Sequence, residues 1–254
     1  MTLRLERDGA VARLLIDRPA KRNAMTQAMW EALPPLLAEA EADAGARVLI
    51  VAGAGEGAFS AGADIGEFAT GARDPAWRAR NQAAIRAAQY ALARFALPTI
   101  AMISGDCIGG GCGLAIACDL RVAGPAARFG ITPAKLGLVY PLHDTKLLVD
   151  LVGPAHAKRM LFTGELFDAG VAERMGLVDI LVEDAVAATA ELADTIAQAS
   201  PHSTRQIKRV ARRILDGQAD DDAETTGWFD AAFDGPDFAE GVDAFLNRRR
   251  ARFP

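Results

Sequence analysis

No stretch of the 254-residue sequence stays apolar for the 18 or more residues that a membrane helix requires; even the run 98–103 falls far short. The first residues include Arg4, Glu6, Arg7 and Asp8, which is not how a secretion signal begins. A cytoplasmic chain with no membrane partner is expected. Basic residues are in deficit, with 28 Lys and Arg against 33 Asp and Glu, and only 248–250 forms a basic run. A net charge of −5 spread in this way leaves no face for a polyphosphate backbone, which excludes nucleic acid as a partner. Cysteine and histidine are equally sparse. Cys107, Cys112 and Cys118 match no zinc-ligand spacing, and His143, His156 and His202 form no helical pair. No metal site is expected, and the cysteines read as small core residues. Disorder is excluded as well, because 51% hydrophobic and 24% charged residues are enough to bury a sizeable core.

The pattern that is present is one of strands, helices and glycine turns. Residues 3–17 alternate apolar and polar around Asp8-Gly9, which predicts an opening β-hairpin. Thr26 is placed to cap a helix carrying Met29, Leu33, Leu36 and Leu37 on one face, with a kink expected at Pro34 and Pro35. Strands are expected at 48–52, 99–103, 120–123 and 178–182, and a long helix at 75–95. From about Thr145 helices dominate, broken at Gly153-Pro154, Gly164 and Gly176. The implied division is an α/β core over 1–182 and an all-helical region over 183–254. That tail holds Trp228, Phe229, Phe233, Phe238 and Phe245, many aromatics for so short a region. They suit either a subunit interface or a cap over the same chain's core.

Two glycine-bearing loops are the chemical signal. Gly53, Gly55 and Ala58 have dinucleotide-like spacing, but residues 59–62 intervene before any helix, so a nicotinamide site is not expected. The segment 59–65, Phe-Ser-Ala-Gly-Ala-Asp-Ile, follows one strand, and Gly109-Gly110-Gly111-Cys112 follows another, each at a helix start. Helix starts carry unpaired N–H groups, so two of them brought together would bind a carbonyl oxygen as it gains negative charge.

In their order and separation these loops resemble the signatures of the crotonase (enoyl-CoA hydratase/isomerase) superfamily. The resemblance runs nearly end to end, through Arg18-Pro19 with Arg22-Asn23-Ala24, Cys118-Asp119, Phe129-Gly130, Leu161-Phe162-Thr163-Gly164, Gly176-Leu177-Val178 and the closing segment 240–245. It implies an α/β ClpP-like spiral of ββα units with a C-terminal helical trimerisation layer, assembled as a homotrimer or a dimer of trimers. It implies an acyl-CoA substrate, with coenzyme A as part of that substrate and no tightly bound cofactor. Carried over position by position, the carbonyl-binding N–H groups fall on Ala63 and Gly110. Lys21, Arg22, Ala24, Ala61, Asp64 and Ile65 fall around coenzyme A, with Phe245 and Arg248 reaching a neighbouring subunit's nucleotide. Asp64 and Asp119 also read as structural, satisfying nearby backbone donors.

The sequence departs from the family where acid–base chemistry is expected. Hydratases use two glutamates, and this chain has Gly113 and Pro133 at those positions. The segment 132–137 followed by Tyr140 resembles the methylmalonyl-CoA decarboxylase branch, in which loss of CO2 gives the enolate without C–H abstraction. Tyr140, His143 and Asp144 are the candidate catalytic side chains. The alternatives are a hydratase or isomerase using His143, Asp144 or Glu67, and an acyl-CoA-binding subunit without catalysis.

Overall fold

The computed structural model describes residues 2–254. Among these residues nine strands form two sheets. In chain order they are β1 (Leu3–Asp8), β2 (Val11–Ile16), β3 (Val48–Gly53), β4 (Thr99–Ile103), β5 (Asp106–Ile108), β6 (Leu120–Ala123), β7 (Arg128–Gly130), β8 (Phe167–Asp168) and β9 (Ile180–Leu181). The larger sheet has the order β1-β2-β3-β4-β6-β9, antiparallel at β1/β2 and parallel elsewhere. The smaller sheet, β5-β7-β8, is built from three short strands that the sequence pattern did not reveal. The described residues also form ten α-helices: α1 (Gln27–Ala42), α2 (Ile65–Gly71), α3 (Pro75–Ala93), α4 (Gly110–Ala117), α5 (Leu142–Thr163), α6 (Ala169–Arg174), α7 (Ala185–Ala197), α8 (Pro201–Leu215), α9 (Ala223–Phe233) and α10 (Pro236–Leu246).

The opening hairpin forms, with its turn one residue later than expected. Asp8 already pairs with Val11, so the two loop residues are Gly9 and Ala10, and Gly9 takes the positive φ of 58° that the turn demands. Thr26 caps α1 by accepting from the Met29 N–H. This helix continues through Pro34 and Pro35 to Ala42, where a kink was expected. Its buried face, Met29, Trp30, Leu33 and Leu37, spans both prolines, so packing on either side holds the helix across the missing N–H groups. α5 does break where Gly153-Pro154 predicts, with Gly153 at φ 75°.

Most of the core lies between the large sheet, α1, α3, α4 and α5, around the fully buried Trp30, Phe59, Phe129 and Leu92. A second apolar cluster joins Val48, Ile50, Ile100 and Val122 on the sheet's other face to Ala185 and Ala193 of α7. The region after residue 182 therefore begins with a helix seated on the sheet. α9 and α10 are covered far less: Phe229, Phe233, Phe238 and Phe245 are all exposed, with the Phe233 ring centroid 5.3 Å from that of Phe229 and 5.1 Å from that of Phe238. Among the described residues no helix is long and apolar enough to cross a membrane.

Candidate active site

Three loops are stitched together where the two sheets meet. The loop before α1 turns through Arg22 and Asn23, both with left-handed φ. Asn23 is buried and acts as a hub: its side chain donates to the carbonyls of Ala58 (2.6 Å) and Ala54 (3.1 Å) and accepts from the Arg18 N–H (2.9 Å). Ser60, also buried, donates to the Asn23 carbonyl (2.8 Å) and accepts from the Gly62 N–H (3.1 Å). Its backbone bridges to β5, which leads directly into the glycine triplet.

This stitching brings the Ala63 and Gly110 amides side by side. A Cβ built on Gly62 would lie 2.9 Å from the Gly110 nitrogen, and one built on Gly110 would lie 3.7 Å from the Ala63 nitrogen. Gly62 has φ 87° and abuts the Ile108 carbonyl, so both conformation and space reserve the position for glycine. Gly110 is the first residue of α4, and Ala63 lies just before the Asp64 cap of α2. Among the described residues neither N–H donates to a protein acceptor. Two open donors at two helix starts are chemically able to bind an oxygen that is becoming negative. Trp30 of α1 backs the site, its ring edge 3.0 Å from a Cβ built on Gly110. Nothing in the sequence marks this tryptophan off from the other buried apolar residues of α1.

The surrounding candidates take definite places. Asp64 turns its carboxylate to Arg18 (3.0 Å) and the Gly66 N–H (2.9 Å), and these partners lower its pKa against the opposing effect of burial. It therefore holds the loop in place. Asp119 likewise accepts from the Thr99 N–H and hydroxyl and from Lys208. Arg22 pairs with Asp106, which also binds Arg128. Lys21 and Ile65 are exposed beside these loops, while Ala24 and Ala61 are half-buried within them. Phe245 and Arg248 are exposed at the end of α10, in the tail. The three cysteines are buried and free, with burial pushing the Cys118 thiol up to about 12. Among the described residues no cluster of His, Cys, Asp and Glu could hold a metal.

Around Gly113, one helical turn after Gly110, the site is polar and closed. A Cβ there would collide with the Gln89 amide of α3 and lie 2.9 Å from the Tyr140 hydroxyl. The Tyr140 hydroxyl is buried without a partner, and burial followed by the nearby Asp144 charge raises its pKa well above the usual phenol value. Asp144 is buried beneath it, against the Gln89 amide and 3.1 Å from His143 Nδ1. Burial raises the Asp144 pKa, with His143 opposing. His143 Nε2 faces Arg94 at 3.4 Å, and because a guanidinium can only donate, Nε2 accepts and Nδ1 carries the proton toward Asp144. Glu67 is committed elsewhere, accepting from the Gln27 N–H at 2.7 Å. On its ring side Tyr140 joins Pro133, Ala134, Leu138, Val139, Leu142, Thr145 and Leu161 in lining an apolar cavity of about 440 Å3. Val139 is 94% exposed at its edge.

The Enoyl-CoA hydratase/isomerase family model matches residues 6–254. Over 255 residues the chain is 32% identical to the crotonyl-CoA hydratase of Syntrophomonas wolfei, covering 98% of this chain and 96% of that one. It is 31% identical to the short-chain-enoyl-CoA hydratase of Clostridium acetobutylicum, covering 97% and 95%. Among solved structures, an enoyl-CoA hydratase/isomerase family protein from Hyphomonas neptunium superposes with a TM-score of 0.97 at 42% identity, over 100% of this chain and 98% of that one. An enoyl-CoA hydratase/carnithine racemase from Magnetospirillum magneticum gives 0.96 at 32%, over 100% and 96%. The two-sheet architecture is thus the α/β crotonase fold. With its full length matched and its two glycine loops converging, the chain belongs to the enoyl-CoA hydratase/isomerase family.

Proposed function

We propose that this enzyme binds an acyl-CoA thioester with its carbonyl oxygen between the Ala63 and Gly110 N–H groups, and works through the enolate they stabilise. Lys21, Arg22, Ala24, Ala61 and Ile65 border coenzyme A in this reading, and Asp64 holds their loops. The favoured reaction is decarboxylation of a malonyl-type thioester. The bond from the α-carbon to the carboxylate breaks, its electron pair moves onto the thioester oxygen, CO2 leaves, and a proton from water completes the product. The observation behind this choice is that no carboxylate can reach the acyl group from Gly113 or Pro133, and the space beside Gly113 is already filled by Gln89 and Tyr140. A reaction that needs no base fits such a site. Tyr140, kept protonated by its raised pKa, is the leading side chain.

A second reading, hydration or isomerisation, is favoured by the hydratase names of the relatives. It would need His143 or Asp144 as the acid or base. Exposed Phe229, Phe233, Phe238 and Phe245 support assembly into a homotrimer or dimer of trimers, in which Phe245 and Arg248 would approach a neighbour's nucleotide. The test offers crotonyl-CoA, a 3-enoyl-CoA and methylmalonyl-CoA in parallel, with products identified by mass. CO2 loss from methylmalonyl-CoA alone supports decarboxylation, and turnover of crotonyl-CoA refutes it. Tight binding without turnover of any of the three would make the protein a non-catalytic acyl-CoA-binding subunit.

A further inference from the structure

Trp30 is the bulkiest fully buried side chain among the described residues, and one edge of its ring lies against the main chain that carries the two open amides. A Cβ built on Gly110 would lie 3.0 Å from Trp30 Cζ2, 3.3 Å from Cη2 and 3.7 Å from the Ala63 nitrogen. Glycine at 110 is what lets the ring come so close, and the ring edge faces the same small space as the Ala63 nitrogen. The Gly110 peptide is thus bounded by the Gly62 main chain near its nitrogen and by the indole near its Cα.

The helix that carries Trp30 is also tied to the other donor. Just before α1, the Met25 N–H donates to the Gly62 carbonyl (2.7 Å), and the Asp64 N–H donates back to the Met25 carbonyl (2.9 Å). These two bonds flank Ala63 and make its segment pair with the start of α1. At that start Thr26 caps the helix, and Met29, Leu33 and Leu37 bury the face on which Trp30 lies. α1 is therefore joined to Ala63 by hydrogen bonds and to Gly110 by the indole. The indole N–H has no protein partner, so packing alone seats the ring. The spacing of two such donors matters because both must reach one oxygen at about 2.7–3.1 Å as its charge develops.

We propose that Trp30 is a positioning residue for the carbonyl site: its ring is the spacer through which α1, already bonded to the Ala63 segment, sets the place of the Gly110 amide. This rests on the reading of the two amides as donors to the thioester oxygen, and it holds whichever reaction follows. The test reads the carbonyl itself. Butyryl-CoA with an isotopic label at the thioester carbonyl is bound to the protein, and difference infrared spectroscopy records how far hydrogen bonding lowers its C=O stretch. Trp30→Phe lacks the outer ring atoms that reach Gly110 and breaks no protein hydrogen bond. It should lose at least half of that shift and lower kcat at least tenfold, with KM within threefold, on the thioester that the wild type consumes. Leu37→Ala, seven residues and roughly 10 Å further along the same buried face, is the packing control. It should lower Tm while leaving the shift and kcat within twofold. Gly110→Ala should also lower kcat, because its methyl group meets the indole, and adding Trp30→Phe makes room for that methyl group. The double variant should turn over at least threefold faster than Gly110→Ala alone, and it serves if Trp30→Phe folds poorly by itself. A wild-type shift that Trp30→Phe leaves intact overturns the role of Trp30, as does a double variant no faster than Gly110→Ala. No shift in the wild type refutes the two-donor reading and the role of Trp30 with it.

Discussion

Gly62→Ala is the sharpest perturbation of the proposed carbonyl site. The new methyl group would lie 2.7 Å from the Ile108 carbonyl and 2.9 Å from the Gly110 nitrogen, both main-chain atoms that cannot swing aside. At φ 87° a residue with a Cβ costs about 1–2 kcal/mol in backbone strain, and forced overlap adds about 1–3 kcal/mol. Alanine returns about 0.4–1 kcal/mol by restricting the unfolded chain. The net loss of about 1–4.6 kcal/mol leaves a domain of ordinary stability folded at 25 °C, with Tm lowered by roughly 2–18 °C. Turnover should fall much further, because the methyl group displaces or screens one of the two donors, and loss of one such donor costs about 10²–10³ in kcat. Gly9→Ala is the control: its φ of 58° is also positive, but no atom lies within 4 Å, so it should show the backbone cost with normal turnover. The assay pairs a thermal melt with initial rates on the thioester that the wild type consumes. A folded Gly62→Ala enzyme with turnover within threefold of wild type would refute the pairing of the two amides.

Tyr140→Phe should slow the surviving reaction at least tenfold with little change in Tm, since the hydroxyl it removes has no protein partner; an unchanged rate removes Tyr140 from the mechanism. Gly113→Ala should destabilise the fold by about 1–3 kcal/mol, because its methyl meets the Gln89 amide and the Tyr140 hydroxyl, and an unaltered denaturant midpoint would contradict that packing. Asp144 has its carboxyl pKa raised by burial, so the folded state binds the proton more tightly than the unfolded chain. The stability it contributes is full below the unfolded Asp value of about 3.9 and is lost as pH rises through the higher folded value. Melts from pH 4 to 8 should therefore show Asp144→Asn gaining on the wild type as pH rises, and parallel curves would refute the shift.

Long periodic elements were legible in the sequence because burial writes itself as spacing. β4 and β6 fall where their apolar runs predict, and Thr26 caps α1 as expected. The strands of the smaller sheet are two or three residues long, too short for any alternation to register. The two glycine loops were legible because backbone approaching backbone so closely leaves no room for a Cβ. Gln89 was not, because a glutamine among helical alanines gives no local sign of what lies opposite it in space. Its meaning depends on Gly113 and Asp144, 24 and 55 positions further along the chain.

The crowding at Gly113 also bears on how such an enzyme changes over generations. A glutamate introduced there by a single substitution would meet occupied space, so any benefit depends on Gln89 and Tyr140 having yielded first. Mutations that are neutral or harmful alone would have to precede the useful one. An acidic side chain is therefore gained at 113 less readily than the polar lining is retuned through residues 89 and 140.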